Sequence, residues 1–184
     1  MTATRSWRAL SCAVRLVMDD EHRGDQAAEV LVAILARVDR VASRFRADSV
    51  LSTANEPAGR PVAIPRDLVG AAMEAIERTA GAVDPTIGLA RQGWGYDCDI
   101  AELAPDGPAV CSIAQPATWR QIRLDRAAGL LTVPTRASLD LGATAKAFTA
   151  DFAAGTLCRR HGTPVIVEPG GDLAVAGRRP GGWT

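Results

Sequence analysis

Alternation with a period of two opens the chain. From Trp7 to Met18, Leu10, Cys12, Val14, Leu16 and Met18 fall on one side, and Ser11 and Arg15 on the other. That pattern predicts a strand with one buried face. Asp19–Gly24 is a polar turn, after which the period lengthens. Ala27, Val30, Leu31, Ile34, Val38, Val41 and Phe45 repeat every three or four residues and predict a helix to about Phe45, with Asp25 as N-cap and Arg37 and Arg40 outside. Residues 43–55 read as a polar segment around a few apolar anchors, 56–60 as a turn and 61–64 as a short extended piece. Pro65 suits a helix start because its missing N–H would be unpaired there anyway. The second helix is predicted to run to Ala80, bury Leu68, Ala72, Met73 and Ile76, and stop at Gly81.

Beyond this helix the punctuation changes. Gly81–Gly88 is a loop in which Asp84, ahead of Pro85, is held extended. The stretch 104–117 is rich in Pro and Ala and reads as a surface excursion. Residues 121–125 and 130–133 form a predicted hairpin around Arg126–Gly129. A third helix is expected from Ala143 to about Arg160, with Phe148, Phe152, Thr156 and Leu157 facing inward, ended by Gly162. Strands at 165–167 and 173–175 flank Pro169-Gly-Gly-Asp172, and 177–183 is a further turn. Irregular alternation of strands and helices with hairpins predicts an α+β fold, with mixed or antiparallel strands and three main helices. The final residues read as the entry to one more strand, which would leave a sheet edge uncovered.

Composition narrows the function. The chain has 184 residues, 47% hydrophobic and 23% charged, the balance of a packed globular protein. Lys+Arg and Asp+Glu both total 21 and aromatics reach only 4%, so neither a basic patch nor a base-stacking platform for nucleic acid is predicted. No apolar run has the length of a transmembrane segment, and Met1–Trp7 lacks a signal peptide's apolar core; a cytoplasmic protein is expected. Cys12, Cys98, Cys111 and Cys158 are scattered, which points away from a disulfide framework or zinc site. His22 and His161 each sit beside Arg with Gly nearby, as loop histidines do.

The candidate chemistry lies in Ser138-Leu-Asp-Leu-Gly-Ala-Thr-Ala-Lys146. A carboxylate, Asp140, precedes a glycine turn, a helix start offers unpaired N–H groups, and Lys146 lies in the first turn. Such a stretch can take a diphosphate and a cation; it also serves as an ordinary N-terminal cap.

Four motifs in order extend this reading: Ser43-Arg-Phe-Arg-Ala-Asp-Ser with Asn55; Gly81-Ala-Val-Asp-Pro-Thr-Ile-Gly with Trp94-Gly; Leu139-Asp-Leu-Gly-Ala-Thr-Ala-Lys; and Gly170-Gly-Asp-Leu with Gly177 and Gly182-Trp183. Together, over about Leu10 to Trp183, they resemble the ApbE family, flavin transferases that attach FMN to other proteins with FAD as donor. The resemblance implies one ApbE-like domain over residues 1–184, lacking the family's C-terminal part, in which a histidine near the chemistry and the Asp and Thr completing a metal site would lie. It implies FAD contacts at Leu10, Phe45, Ala82, Val83, Asp84, Asp140 and Lys146, and a Mg²⁺ ligand in the main-chain carbonyl of Ala143. The partner it implies is an acceptor protein whose threonine attacks the FMN phosphorus, releasing AMP. Water in place of threonine would make the chain an FAD hydrolase, and loss of chemistry a flavin-binding remnant. Leu10-Ser-Cys12 stands where the family has Met-Gly-Thr, Ala147-Phe148 where it has Gly-Tyr, and Glu168-Pro169 where Asn and a small residue are usual.

Overall fold

A computed structural model of the chain describes residues 1–56, 59–96, 98, 102–103 and 119–183. In order, its elements are β1 (Ala3–Ala9), β2 (Cys12–Met18), α1 (Gly24–Ala42), α2 (Val50–Ala54), β3 (Val62–Ala63), α3 (Arg66–Arg78), α4 (Gly88–Gly93), β4 (Arg123–Asp125), β5 (Leu130–Thr132), α5 (Ala145–His161), β6 (Val165–Pro169) and β7 (Ala174–Ala176). The α+β class, the antiparallel pairing and the three main helices, α1, α3 and α5, are as expected. The chain divides into two compact units, Met1–Val38 with Lys146–Thr184, and Asp39–Ala145. The predicted excursion at 104–117 lies outside the described residues.

In the first unit, four strands make an antiparallel sheet in the order β1-β2-β6-β7. The opening segment is not one strand but a hairpin. Leu10 and Ser11 turn the chain at φ 51° and 61°, and Ala9 pairs with Cys12. A two-residue turn with both φ values positive matches the twist of the strands it joins, and it leaves the alternation unbroken, so sequence periodicity runs straight through it. Leu16 lies opposite Val167 and Met18 opposite Val165, all four essentially inaccessible.

That face packs with Ala27, Leu31 and Leu35 of α1 and with Ala150, Ala153, Ala154 and Leu157 of α5. The inner face of α5 therefore differs from expectation. Leu157 is buried, but Phe152 is exposed and stacks on Phe148 with ring centroids 6.1 Å apart. Three alanines bring the helix backbone close to its neighbours, and a row of phenylalanines could not.

Other boundaries shift for local reasons. Asp20, not Asp25, is the capping residue: its carboxylate accepts the His22 N–H at 3.0 Å and opens a short 3-10 turn ahead of α1. Asp25 lies inside the helix and pairs with Arg5 at 2.6 Å. His161 is not a loop residue; it closes α5, is buried, and its carbonyl accepts from Arg23.

The second unit holds a small antiparallel sheet in the order β3-β5-β4 together with α2, α3 and α4. Leu131 on the central strand is fully buried, as are Leu68, Val69, Ala72 and Ile76 of α3, whereas Met73 is only half-buried. The helix stops at Arg78, two residues early, because Ala80 takes the left-handed φ of 51° and Gly81 follows at 89°, its N–H reaching the Ile76 carbonyl at 2.8 Å. Helix α1 likewise ends at Ala42, short of Phe45.

Two short helices, α2 and α4, stand where sequence periodicity predicted none. Five and six residues are too few for a 3.6-residue repeat to register. Helix α2 does carry a cap: Ser49 is wholly buried, and its hydroxyl accepts the Ser52 N–H at 2.9 Å.

Candidate functional site

Segment 138–142 is where the second unit concentrates its polar interactions. Among the described residues it has no long strand partner, and its backbone groups are satisfied piecemeal. The Asn55 side chain binds Leu139 like a strand edge: its amide donates to the Leu139 carbonyl at 2.9 Å and its oxygen accepts the Leu139 N–H at 2.7 Å. From the other side the Asp140 N–H donates to the Pro85 carbonyl at 2.7 Å, and the Gly88 N–H to the Ser138 carbonyl at 2.9 Å. Residue 88 has to be glycine, since a Cβ there would stand 2.5 Å from the Ser138 hydroxyl and 2.6 Å from its carbonyl oxygen. The loop carrying Ala82, Val83 and Asp84 is thereby tied to the backbone carrying Asp140.

With its backbone so fixed, Asp140 projects a carboxylate that is only 3% exposed. An unpaired charge at that depth would be strongly unfavourable. Here Oδ2 receives the Arg44 Nε at 3.1 Å and the Arg91 Nη1 at 2.9 Å, while Oδ1 accepts the Gly142 N–H at 2.7 Å. Two guanidiniums thus meet one carboxylate, leaving a net positive charge. Both also lie 4.3 Å from the Tyr96 ring centre, and Arg44 lies 4.1 Å from that of Phe45. Phe45 and Tyr96 meet edge to face at 6.0 Å, with Phe45 39% exposed. The Arg44 Nη2 is buried with no hydrogen-bond partner among the described residues, so the cluster retains unused donor capacity.

Within this unit, then, Phe45, Asp140 and the 82–84 loop are brought together. Asp84 makes a turn of its own: Oδ1 accepts the Thr86 N–H at 2.8 Å and the Thr86 hydroxyl at 2.6 Å. Ala82 is exposed and Val83 half-buried, its N–H donating to the Thr79 hydroxyl at 3.0 Å. Ala143 is exposed in the turn before α5.

Leu10 and Lys146 belong to the other unit. Leu10 is half-buried in the hairpin turn, and Ser11, at the family's glycine position, holds the positive φ that glycine adopts without strain. Lys146 lies by Cys12 and Gly170, its Nζ 3.7 Å from where a Gly170 Cβ would stand. The thiol of Cys12 is pushed up from its ordinary value by burial, which outweighs the opposing charges of Lys146 and Arg8.

A hard divalent cation needs several oxygen ligands. Among the described residues no three Asp, Glu, His or Cys side chains gather to supply them, and both Asp140 oxygens are already engaged. These residues do not by themselves make a magnesium site.

Arg44, Arg91 and Tyr96 were not singled out from sequence. One signal did exist. An aspartate flanked by Leu139 and Leu141, both buried, requires a cationic partner, but which arginine supplies it is a tertiary matter.

Residues 9–184 match the ApbE family, and the chain belongs to it. Two relatives, from Treponema pallidum and Haemophilus influenzae, both named FAD:protein FMN transferase, are each 30% identical, over 166 and 162 residues. The alignments cover 84% and 82% of this chain but 45% and 46% of those proteins, so the chain spans about half the length of the curated relatives it matches. Among solved structures, a flavin transferase ApbE from Vibrio cholerae superposes with a TM-score of 0.81 at 20% identity, covering 99% of this chain and 62% of that one. The ApbE protein of Thermotoga maritima gives 0.79 at 22%, covering 97% and 60%. Among the described residues no helix is long and apolar enough to cross a membrane.

Proposed function

We propose that the chain acts in the cytoplasm as an FAD:protein FMN transferase, the activity for which its two curated relatives are named. In the proposed reaction a threonine hydroxyl of an acceptor flavoprotein attacks the FMN phosphorus of FAD. A new P–O bond forms, the diphosphate bridge breaks, AMP leaves with the bridging electron pair, and the hydroxyl proton passes to solvent. The observation that carries the reading is the cluster around Asp140. A positive excess beside two aromatic rings suits a ligand with a flat ring system and a charged diphosphate.

On this reading Phe45, Ala82, Val83, Asp84 and Asp140 contact the cofactor from the unit that holds the cluster; Leu10 and Lys146, of the other unit, are proposed as contacts from the resemblance alone. Asp140 also orients Arg44 and Arg91, so its influence on the phosphates is exerted largely through them. Lys146 supplies a point charge. No general base is assigned. Magnesium belongs to the proposal through the resemblance, which gives Ala143 one ligand position by its main-chain carbonyl; bound, the ion would neutralise phosphate charge. The remaining ligands would be water and substrate oxygens or groups beyond the described residues. We further propose that residues 1–184 form a single ApbE-like domain, and that transfer also needs the segment that carries the rest of the metal site in the family.

A second reading, that the chain binds flavin without turnover, is favoured by the lack of a gathered metal-ligand set among the described residues. One experiment separates the two. Incubation with FAD, magnesium and an acceptor flavoprotein domain should put gel-stable flavin fluorescence on the acceptor, with equimolar AMP and no label on the acceptor's threonine-to-alanine form. AMP without label would mean FAD hydrolysis. Bound FAD with neither product would mean a binding module.

A further inference from the structure

We propose that the outer face of the β3-β5-β4 sheet carries a second anion-binding site, suited to a small phosphate-bearing molecule. Strand register builds it. Arg123 pairs with Thr132, and the β3-β5 register, continued by one residue from Val62↔Leu131, brings Pro61 to the other side of Thr132. Side chains alternate along a strand, so this rung faces away from Leu131, which is fully buried. Over the rung lies a cavity of about 630 Å³, lined by Gly59, Arg120, Gln121, Arg123 and Thr132 together with prolines 61 and 134. That volume is within the range of pockets for small metabolites and too large for a lone phosphate.

The charge of the lining gives the ligand class. Among the described residues it contains two guanidiniums and no carboxylate. Among the described residues neither Arg120 nor Arg123 meets an acidic side chain, a condition shared in this unit with Arg126 and Arg136, while Arg44, Arg46, Arg60, Arg78 and Arg91 each meet one. Arg120 lies over the Trp119 ring at 4.4 Å, which restrains its plane while its edge N–H groups remain available. Guanidiniums so presented pair with phosphate oxygens, with Gln121 and Thr132 as neutral donors. None of the lining residues is among those assigned to FAD, so the site stands or falls separately from the flavin reading.

The test is calorimetric titration of the chain with inorganic pyrophosphate, and separately with ribose 5-phosphate, with sodium chloride holding the ionic strength constant. Saturable binding is expected. Arg123→Gln should weaken it about tenfold, the value of one charge-assisted contact. Arg120→Gln combined with Arg123→Gln should abolish it. Both side chains are exposed, so the variants should keep the parent's circular dichroism and melting curve. Tighter binding of either probe supports the site and tells a free anion from a phosphate ester. A parent that binds neither saturably, or a folded double variant that binds as well as the parent, overturns the proposal.

Discussion

The two units bury different things. Around β2 and β6 the interior is hydrocarbon: Leu16, Met18, Leu31, Val167 and Leu157 interlock, with alanines where α5 approaches. Between Asn55 and Asp140 the other unit buries a carboxylate, two guanidiniums and side chains that stand in for missing strand partners. Truncating an apolar core side chain costs the lost burial plus whatever cavity its neighbours cannot fill. A polar cluster fails differently. Each member's burial is tolerable only while its partners stay in place.

The difference can be pressed by substitution. Asp140→Ala should cost about 3–5 kcal/mol in chemical denaturation, because it strands Arg44 and Arg91 without their shared counter-charge. Replacing both arginines as well should restore part of that loss, whereas a Leu157→Ala cavity should not be relieved by any surface change. If Asp140→Ala is tolerated within about 0.5 kcal/mol, as an ordinary surface substitution would be, the cluster does not organise this unit.

A smaller effect is expected from His161, a group with a comparable problem in the hydrocarbon-cored unit. Its Nε2 is buried without a partner among the described residues, and burial, reinforced by Arg160 and Arg23 and opposed by Asp20, holds its pKa below the ordinary value. Folding therefore favours the neutral ring. Well above pH 6.5, roughly the unfolded value, protonation should not affect stability; as pH falls through 6.5 toward the lowered folded value, the unfolded chain gains protons first and stability declines. Urea midpoints at pH 8 and pH 5.5 should differ less for His161→Gln than for the parent. An equal difference would remove His161 from the account.

The same contrast explains what could be read in advance. The hydrocarbon-cored unit was legible because buried faces write a period into the chain. The period even survived the Leu10–Ser11 turn, which is why a hairpin read as one strand. It also misled at the end of α1, carried on to Phe45, and at α5, where Phe148 and Phe152 carry the spacing but alanines carry the packing. In the other unit, motifs located Phe45, Asp84 and Asp140, yet the contacts that define their surroundings join residues 44, 91 and 140, or 55 and 139. No local pattern encodes pairings that distant. The short helices α2 and α4 were missed for want of length, and α4 also lacks a capping side chain.

The central claim is that the arginines on Asp140 form part of the flavin dinucleotide's seat, and FAD titration followed by flavin fluorescence tests it most directly. Arg91→Gln should weaken FAD binding by about tenfold or more while the protein stays folded, and Arg60→Gln, whose partner is the exposed Glu56, should leave it unchanged. A folded Arg91→Gln protein that binds FAD as tightly as the parent would contradict the account.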